Sequence, residues 1–462
     1  MRGRLIAVSN RVAIPTAGKV AGGLAIGVLA ALEEQGGIWF GWSGRKTGQD
    51  PRDPVLDTRG RITFATVDLK KDDFENYYNG FSNNSLWPLC HYMLGFFSFR
   101  RFQYDAYCRV NELFARKLVP LIEPDDIIWV HDYHLIPLAT ELRRAGVSNP
   151  IGFFLHVPFP SFDALRALPP YEHLLRSMSS YDVIGFQTET DLRAFQDSMG
   201  QREIGGRLLD GQRIEAYGRT FQADVFPIGV DVDDCRRLAA KNLDDRRVHR
   251  LTDSLRERKL IMGVDRLDYS KGLELRFRSF QRLLKKYPTN RGQVVFMQIA
   301  PPTRTGVRAY DAIREELERA AGNINGRFAE MDWMPIRYLN RAYDRGVLMS
   351  LLGLTHVGLV TPIRDGMNLV AKEYLATQDP DDPGVLVLST LAGAAQELTG
   401  AVLVNPYDRE AVADGMQQAV EMRLEERRER HRSMIGILER NDIHAWCRRF
   451  MKSLQAAHAG QA

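Results

Sequence analysis

The segment VDRLDYSKG, residues 264–272, follows an apolar run and puts an arginine and a lysine in one short loop. Arg266 and Lys271 have the chemistry to hold a diphosphate between them: a guanidinium fork grips two oxygens and an ammonium adds a compact charge. RDGMNLVAKEY, residues 364–374, sets Asp365 in a loop and Glu373 two helical turns further on. Carboxylates accept hydrogen bonds from vicinal hydroxyls, which suits a sugar and a ribose. Gly366, Met367, Asn368 and Leu369 would offer backbone N–H groups at the helix start. AGGLAIG, residues 21–27, opens a further apolar helix. Gly22 and Gly23 lack side chains, so a diphosphate could approach their amides at a helix N-terminus. Each feature also has a plainer reading: packing glycines, a charged surface loop, or an N-capping Asp followed by an exposed Glu.

A second group lies in IWVHDYHLIP (128–137) and FFLHVPFP (153–160). Asp132 and His156 end two strongly apolar strands, which places them at an open sheet edge rather than in a core. His131 and His134 flank Asp132 and invite a metal reading, but no framework of further ligands completes it. Arg11 in SNR, Tyr78 and Trp87 in YYNGFSNNSLWP, and Arg304 in APPTRTG mix cations with aromatic rings. An anionic sugar would use that combination, although no spacing links these distant residues.

These residues need elements to position them. Apolar runs rich in Val, Ile and Phe recur at 4–9, 126–132, 151–157, 182–188, 259–265, 293–300, 357–362, 384–389 and 401–406. Amphipathic stretches separate them, which predicts two α/β, doubly wound domains with parallel sheets. VFPIGVDVDD and the charged KNLDDRRVHR place the break near residue 235. Residues 419–440 read as one exposed, charge-laced helix. Ile443, Trp446, Phe450 and Leu454 put a packing stripe on a last helix, residues 440–454.

Composition narrows the classes. The 462 residues are 44% hydrophobic and 26% charged, with a net charge of +4, so nothing in bulk points to nucleic acid. Cys90, Cys108, Cys235 and Cys447 form no C-x-x-C pair, as in a reduced, intracellular protein. The apolar stretch 20–32 is too short and too glycine-broken to span a membrane, and a cytoplasmic location is expected. No G-x-G-x-x-G follows the first strand, and no P-loop, H-E-x-x-H or G-x-S-x-G is present.

Taken together, SNR, AGGLAIG, GWSG, YYNGFSNNSLWP, IWVHDYHLIP, FFLHVPFP, VDRLDYSKG and TPIRDGMNLVAKEY resemble the trehalose-6-phosphate synthase family, retaining glycosyltransferases of family 20, over about residues 4–455. The resemblance implies a GT-B fold: two Rossmann-like domains facing across a cleft. Residues 1–235, joined by a C-terminal helix at about 441–462, would take the acceptor, and 236–440 the donor. It implies transfer of glucose from UDP-glucose to glucose 6-phosphate with retention, no cofactor, no metal ion, and a dimer or tetramer. It assigns the donor to Gly22, Gly23, Arg266, Lys271, Tyr343, Asp365, Gly366, Met367, Asn368, Leu369, Val370 and Glu373, with Tyr343 where relatives carry Phe. It assigns the acceptor to Arg11, Tyr78, Trp87, Asp132 and Arg304. Asp365, Arg266, Lys271, His156 and Trp87 are the candidate catalytic residues. Alternatives are a glucosylglycerol-phosphate synthase or pseudo-sugar coupling enzyme, and a non-catalytic, nucleotide-sugar-sensing subunit.

Overall fold

The computed structural model describes residues 3–15, 23–303 and 308–459. The chain divides into two units: Met1–Ile228 with Ile443–Ala462, and Gly229–Asp442. The division falls earlier than residue 235 because the helix Val232–Lys241 belongs to the second unit, where Arg345 binds its Asp234 and Ser350 donates to its Ala239 C=O; the charged run at 241–250 lies well inside that unit.

The sheet of the first unit contains ten strands. They are β1 (Leu5–Arg11), β2 (Gly37–Thr47), β3 (Val55–Arg59), β4 (Ile62–Lys70), β5 (Ile127–His131), β6 (Ile151–Phe154), β7 (Val183–Phe186), β8 (Arg207–Leu208), β9 (Arg213–Ala216) and β10 (Arg219–Val225). Their order is β3-β4-β2-β1-β5-β6-β7-β10-β9-β8. The seven strands from β4 to β10 in that order run parallel, and antiparallel hairpin strands finish both edges. β5, β6 and β7 are buried along their whole length, which is why they read as unbroken apolar runs.

The second unit carries β11 (Lys259–Val264), β12 (Val294–Ile299), β13 (Ile336–Leu339), β14 (Val357–Val360), β15 (Val385–Ser389) and β16 (Val402–Val404). Its order, β13-β12-β11-β14-β15-β16, is all parallel. Counted within the unit this is 3-2-1-4-5-6, the dinucleotide-binding order, and the direction of winding reverses between β11 and β14. Ligands of such sheets bind at the carboxyl ends beside that reversal.

One helical expectation changes. Residues 419–440 are not one exposed helix: Arg409–Glu421 ends, the chain turns at Met422 and Arg423, and Leu424–Arg440 follows. His431, Met434, Ile435 and Leu438 of the second piece are buried, so its charges cover only the outer face. The last helix, Ile443–Ala459, belongs to the first unit. Its stripe of Ile443, Trp446, Phe450 and Leu454 is buried to within 2% of completely. Trp446 and Phe450 each lie 4.7 Å from the Trp129 ring on β5, and Phe450 lies 5.1 Å from Phe226. Gly152 on β6 and Gly185 on β7 make room: a Cβ there would stand 2.6 and 2.8 Å from the Phe450 ring.

Candidate active site

In the second unit, β11 ends in the loop that bears Arg266 and Lys271, and β14 leads to Asp365. The winding reversal makes these two strands neighbours, and the two loops meet. Lys271 Nζ donates to Asp365 Oδ2 at 2.5 Å. Asn368 Nδ2 donates to the same oxygen at 3.0 Å. Lys271 is 8% exposed, so this is a largely desolvated pair at the ligand edge. Arg266 is exposed beside it. Asp268 caps the turn Tyr269–Lys271 by accepting from Ser270 N–H, and Tyr310 O–H holds its other oxygen.

Asp365 is gripped through its backbone as well. Its N–H donates to Leu391 C=O at 3.2 Å, and its C=O accepts from Gly393 N–H at 3.1 Å. The helix Leu369–Thr377 is capped by Asn368, at φ 75°, whose side chain accepts from Ala371 N–H. Capping is therefore not the task of Asp365, whose carboxylate meets Lys271 and Asn368. The amides of Gly366, Met367, Leu369 and Val370 lie around this start; Ala394 N–H binds Met367 C=O and pins the segment. Lys372, wholly buried, anchors the same helix to Glu397 at 2.5 Å.

Glu373 sits on the second turn of that helix. Burial pushes its carboxyl up to about 7, and Arg345, 3.8 Å away, pulls in the opposite direction. Arg345 is also bonded to Asp234, and the Cys235 thiol beside it is pushed by burial up to about 12. Tyr343, ahead of Arg345, accepts from Arg341 Nε at 2.7 Å and lies under that guanidinium.

In the first unit the candidate residues gather at the carboxyl ends of β1, β5 and β6. A bulge between Ser9 and Arg11 shifts the register of β1. It re-aims Arg11, whose guanidinium lies 5.6 Å over the Trp42 ring. The segment Phe74–Leu86 is a π-helix, a rare winding that occurs mostly at functional sites. It carries Tyr78, stacked 5.6 Å from the His134 ring and 5.2 Å from Phe74. Tyr77 on the same helix donates to Asn10 at the bulge. Trp87 follows, buried, with its ring 4.0 Å from His91 and 5.8 Å from Tyr133.

Asp132 has φ 77° and ψ 163°, a region that residues with a Cβ avoid. Its N–H is tied to Phe154 C=O at 2.8 Å, its C=O to Leu135 N–H at 3.1 Å, and its side chain accepts from His156 N–H. Those bonds hold the strained carboxylate at the strand end. His156 Nε2 lies 3.2 Å from Nδ1 of the fully buried His131. Burial pushes His156 down to about 3 and His131 lower than its ordinary value, so the pair is neutral at physiological pH. His134 serves as an aromatic neighbour of Tyr78 and Tyr133. Among the described residues no group of three or more His, Cys, Asp or Glu could hold a metal ion, and no helix is long and apolar enough to cross a membrane.

The sequence pattern of glycosyltransferase family 20 matches residues 11–456. The chain belongs to glycosyltransferase family 20. It is 51% identical to the trehalose-6-phosphate synthase of Klebsiella pneumoniae subsp. pneumoniae over 453 residues, 98% of this chain and 95% of that one. The crystal structure of an α,α-trehalose-phosphate synthase (UDP-forming) from Burkholderia xenovorans in complex with glucose-6-phosphate superposes with a TM-score of 0.94 at 51% identity, covering 98% of this chain and 100% of that one. A solved E. coli structure bound with UDP-2-fluoro glucose superposes at 0.94 with 48% identity, over 98% and 99% of the two chains.

For this family 20 chain the structure brings together Lys271, Asp365 and Asn368 in one unit, and Tyr78, Asp132 and His156 with their partners in the other. Gly23 opens the helix Gly23–Gln35. Gly22 and Arg304 lie outside the described residues. Sequence reasoning weighed His131 only as a metal ligand and passed over Arg345 and Arg276. His131 orients His156, Arg345 faces Glu373, and Arg276 lies buried beneath the Arg266–Lys271 loop. Only Arg276 left a readable signal: it falls on the apolar stripe of Leu273, Phe277, Phe280 and Leu284, where an unpaired charge could not stay.

Proposed function

We propose that this chain transfers glucose from UDP-glucose to glucose 6-phosphate, giving α,α-trehalose 6-phosphate and UDP. The observation that carries this reading is the Lys271–Asp365 pair at the winding reversal of a dinucleotide-binding sheet, in a chain about half identical to synthases of that name. The second unit holds the donor. Arg266 and Lys271 take the diphosphate; Asp365 takes the glucose hydroxyls; Glu373 takes the ribose; and the segment from Gly366 to Val370, with Tyr343, lines the donor. In the first unit Arg11, Tyr78 and Asp132 hold glucose 6-phosphate. Trp87 and His156 stand by the transferred sugar.

The chemistry follows from these groups. UDP leaves as an anion, so negative charge grows on the diphosphate as the glycosidic bond breaks. Arg266 and Lys271 stabilise it from fixed positions. Those cations carry the electrostatic load that a divalent ion would otherwise supply, which supports a reaction that proceeds without a metal. The acceptor oxygen enters on the face from which UDP departs, and a phosphate oxygen of UDP takes its proton. The anomeric configuration is retained with no covalent glucosyl-enzyme. The neutral His156, unable to compete as a cation, offers a hydrogen bond to the sugar. Four free thiols fit a cytoplasmic location, and a homo-oligomer rests on the family resemblance alone.

The test is nucleoside-diphosphate release by the purified protein in EDTA, with UDP-, ADP- and GDP-glucose each offered with glucose 6-phosphate or glycerol 3-phosphate. Release with UDP-glucose and glucose 6-phosphate, and a product with two α-anomeric protons, is expected. Release only with glycerol 3-phosphate, or none with any pair, overturns the reading.

A further inference from the structure

The loop that carries Arg266 and Lys271 rests on a second cation that no ligand reaches directly. Arg276, on the helix Leu273–Lys286, is 1% exposed. A guanidinium buried this deeply is tolerable only when its donors are fully matched. Nη1 donates to Asp265 Oδ2 at 2.5 Å and to Gln298 Oε1 at 2.9 Å. Nε donates to Thr361 Oγ1 at 3.0 Å, and Nη2 reaches Lys271 C=O at 3.4 Å. Asp265 follows β11, Gln298 lies on β12, and Thr361 follows β14. One planar group thus ties three strand ends at the winding reversal. Gly263 on β11 shows that the seat is shaped for it: a Cβ there would stand 2.7 Å from Arg276 Nη1 and 2.4 Å from Gln298 Oε1.

The partners chosen are telling. Lys271 C=O is the backbone of the residue whose Nζ meets Asp365. Thr361 begins the short connection that ends at Asp365. Two of the four partners, Lys271 C=O and Thr361 Oγ1, thus lie in the connections that carry Lys271 and Asp365. We infer that Arg276 is a positioning residue for the donor diphosphate, acting through Lys271 and Asp365 by fixing the two loops that carry them. This inference rests on the donor reading of the second unit.

The experiment is a double-mutant cycle read by UDP binding in calorimetry, on the full chain, with Arg276→Lys, Lys271→Met and the pair combined. Arg276→Lys keeps the charge and loses the fork. It is expected to weaken UDP binding about tenfold alone and less than twofold when Lys271 is already Met, since the aim of an absent ammonium no longer matters. An equal loss in both backgrounds, or no loss in either, overturns the inference. Thr361→Val, which removes one acceptor at nearly constant volume, covers the case in which Arg276→Lys fails to fold. It should lower kcat about fivefold and leave the KM for glucose 6-phosphate unchanged; an unchanged kcat, or a matching rise in that KM, counts against the inference. Transfer by the unaltered protein is scored separately, so a failed synthase reading and a failed positioning role give different results.

Discussion

Three ionisable residues have consequences that can be measured. Arg266 is exposed and Lys271 is not, so their removal should separate activity from stability. Arg266→Ala is expected to lower kcat by about 10²–10³-fold, the size seen for a lost charge-stabilising donor, with Tm nearly unchanged. Lys271→Ala should lose as much activity and also lower Tm, because it removes one half of a largely desolvated ion pair. Thermal melts beside steady-state rates decide this. Glu373 titrates at about 7 in the folded chain, against an ordinary glutamate value near 4.5. The native state therefore binds more protons than the unfolded chain between those values, so stability falls as pH rises through that window and the whole cost is present above about 7. Glu373→Gln should equal the unaltered protein in Tm near pH 4 and exceed it increasingly up to pH 8, while UDP affinity drops. A Tm difference that does not change with pH would contradict the burial that sets this value. Lys271 and Asp365 were legible beforehand because each stands in a short polar loop after an apolar strand. Arg345 was not, since what matters is its approach to Glu373 from a separate helix, and no local pattern records that.

Elements position these residues by departing from regularity. Asp132 occupies a backbone region that costs about 1–3 kcal/mol for a residue with a Cβ. Asp132→Gly removes that strain and adds the unfolded-state freedom of glycine, about 0.5–1 kcal/mol in the other direction. The variant should melt at or above the temperature of the unaltered protein while glucose 6-phosphate affinity falls at least tenfold. A marked drop in Tm would mean the strand end is relaxed. The bulge at Ser9–Arg11 and the π-helix at Phe74–Leu86 belong to the same class of feature. Neither was visible in the residues. A bulge depends on which partner strand arrives, and π-winding keeps the composition of an ordinary helix. The nine apolar runs all became strands of the two sheets, because burial on both faces removes polar alternation. The other seven strands, β2, β3, β4, β8, β9, β10 and β13, were missed because their residues form no unbroken apolar run. GIWFGWSGRKT mixes tryptophan with glycine and charge, ITFATVDLK interleaves threonine and ends polar, and IRYL is half-exposed.

At the scale of the molecule, the first unit is discontinuous in sequence and the second is not. The stripe of Ile443, Trp446, Phe450 and Leu454 was readable as a packing surface, but its seat was recorded only by two glycines in distant strands. Gly185→Ala sets a methyl against the rings of Phe154 and Phe450, at 2.7 and 2.8 Å. Overpacking of this kind costs about 1–3 kcal/mol. Phe450→Ala empties the same place and should cost about 3–5 kcal/mol. Chemical denaturation of both variants checks this; a neutral Phe450→Ala would show that the helix is not needed to cover the sheet. The order of manufacture gives this helix a further meaning. A ribosome completes every strand of the first sheet before it reaches residue 443, and domains tend to consolidate as they emerge. Here the earlier unit must wait, with Trp129, Phe154 and Phe226 unroofed, until Ile443–Ala459 is made, while the later, contiguous unit can finish ahead of it. A chain that stops anywhere before that segment therefore keeps an open aromatic trough, a ready substrate for chaperones and proteases.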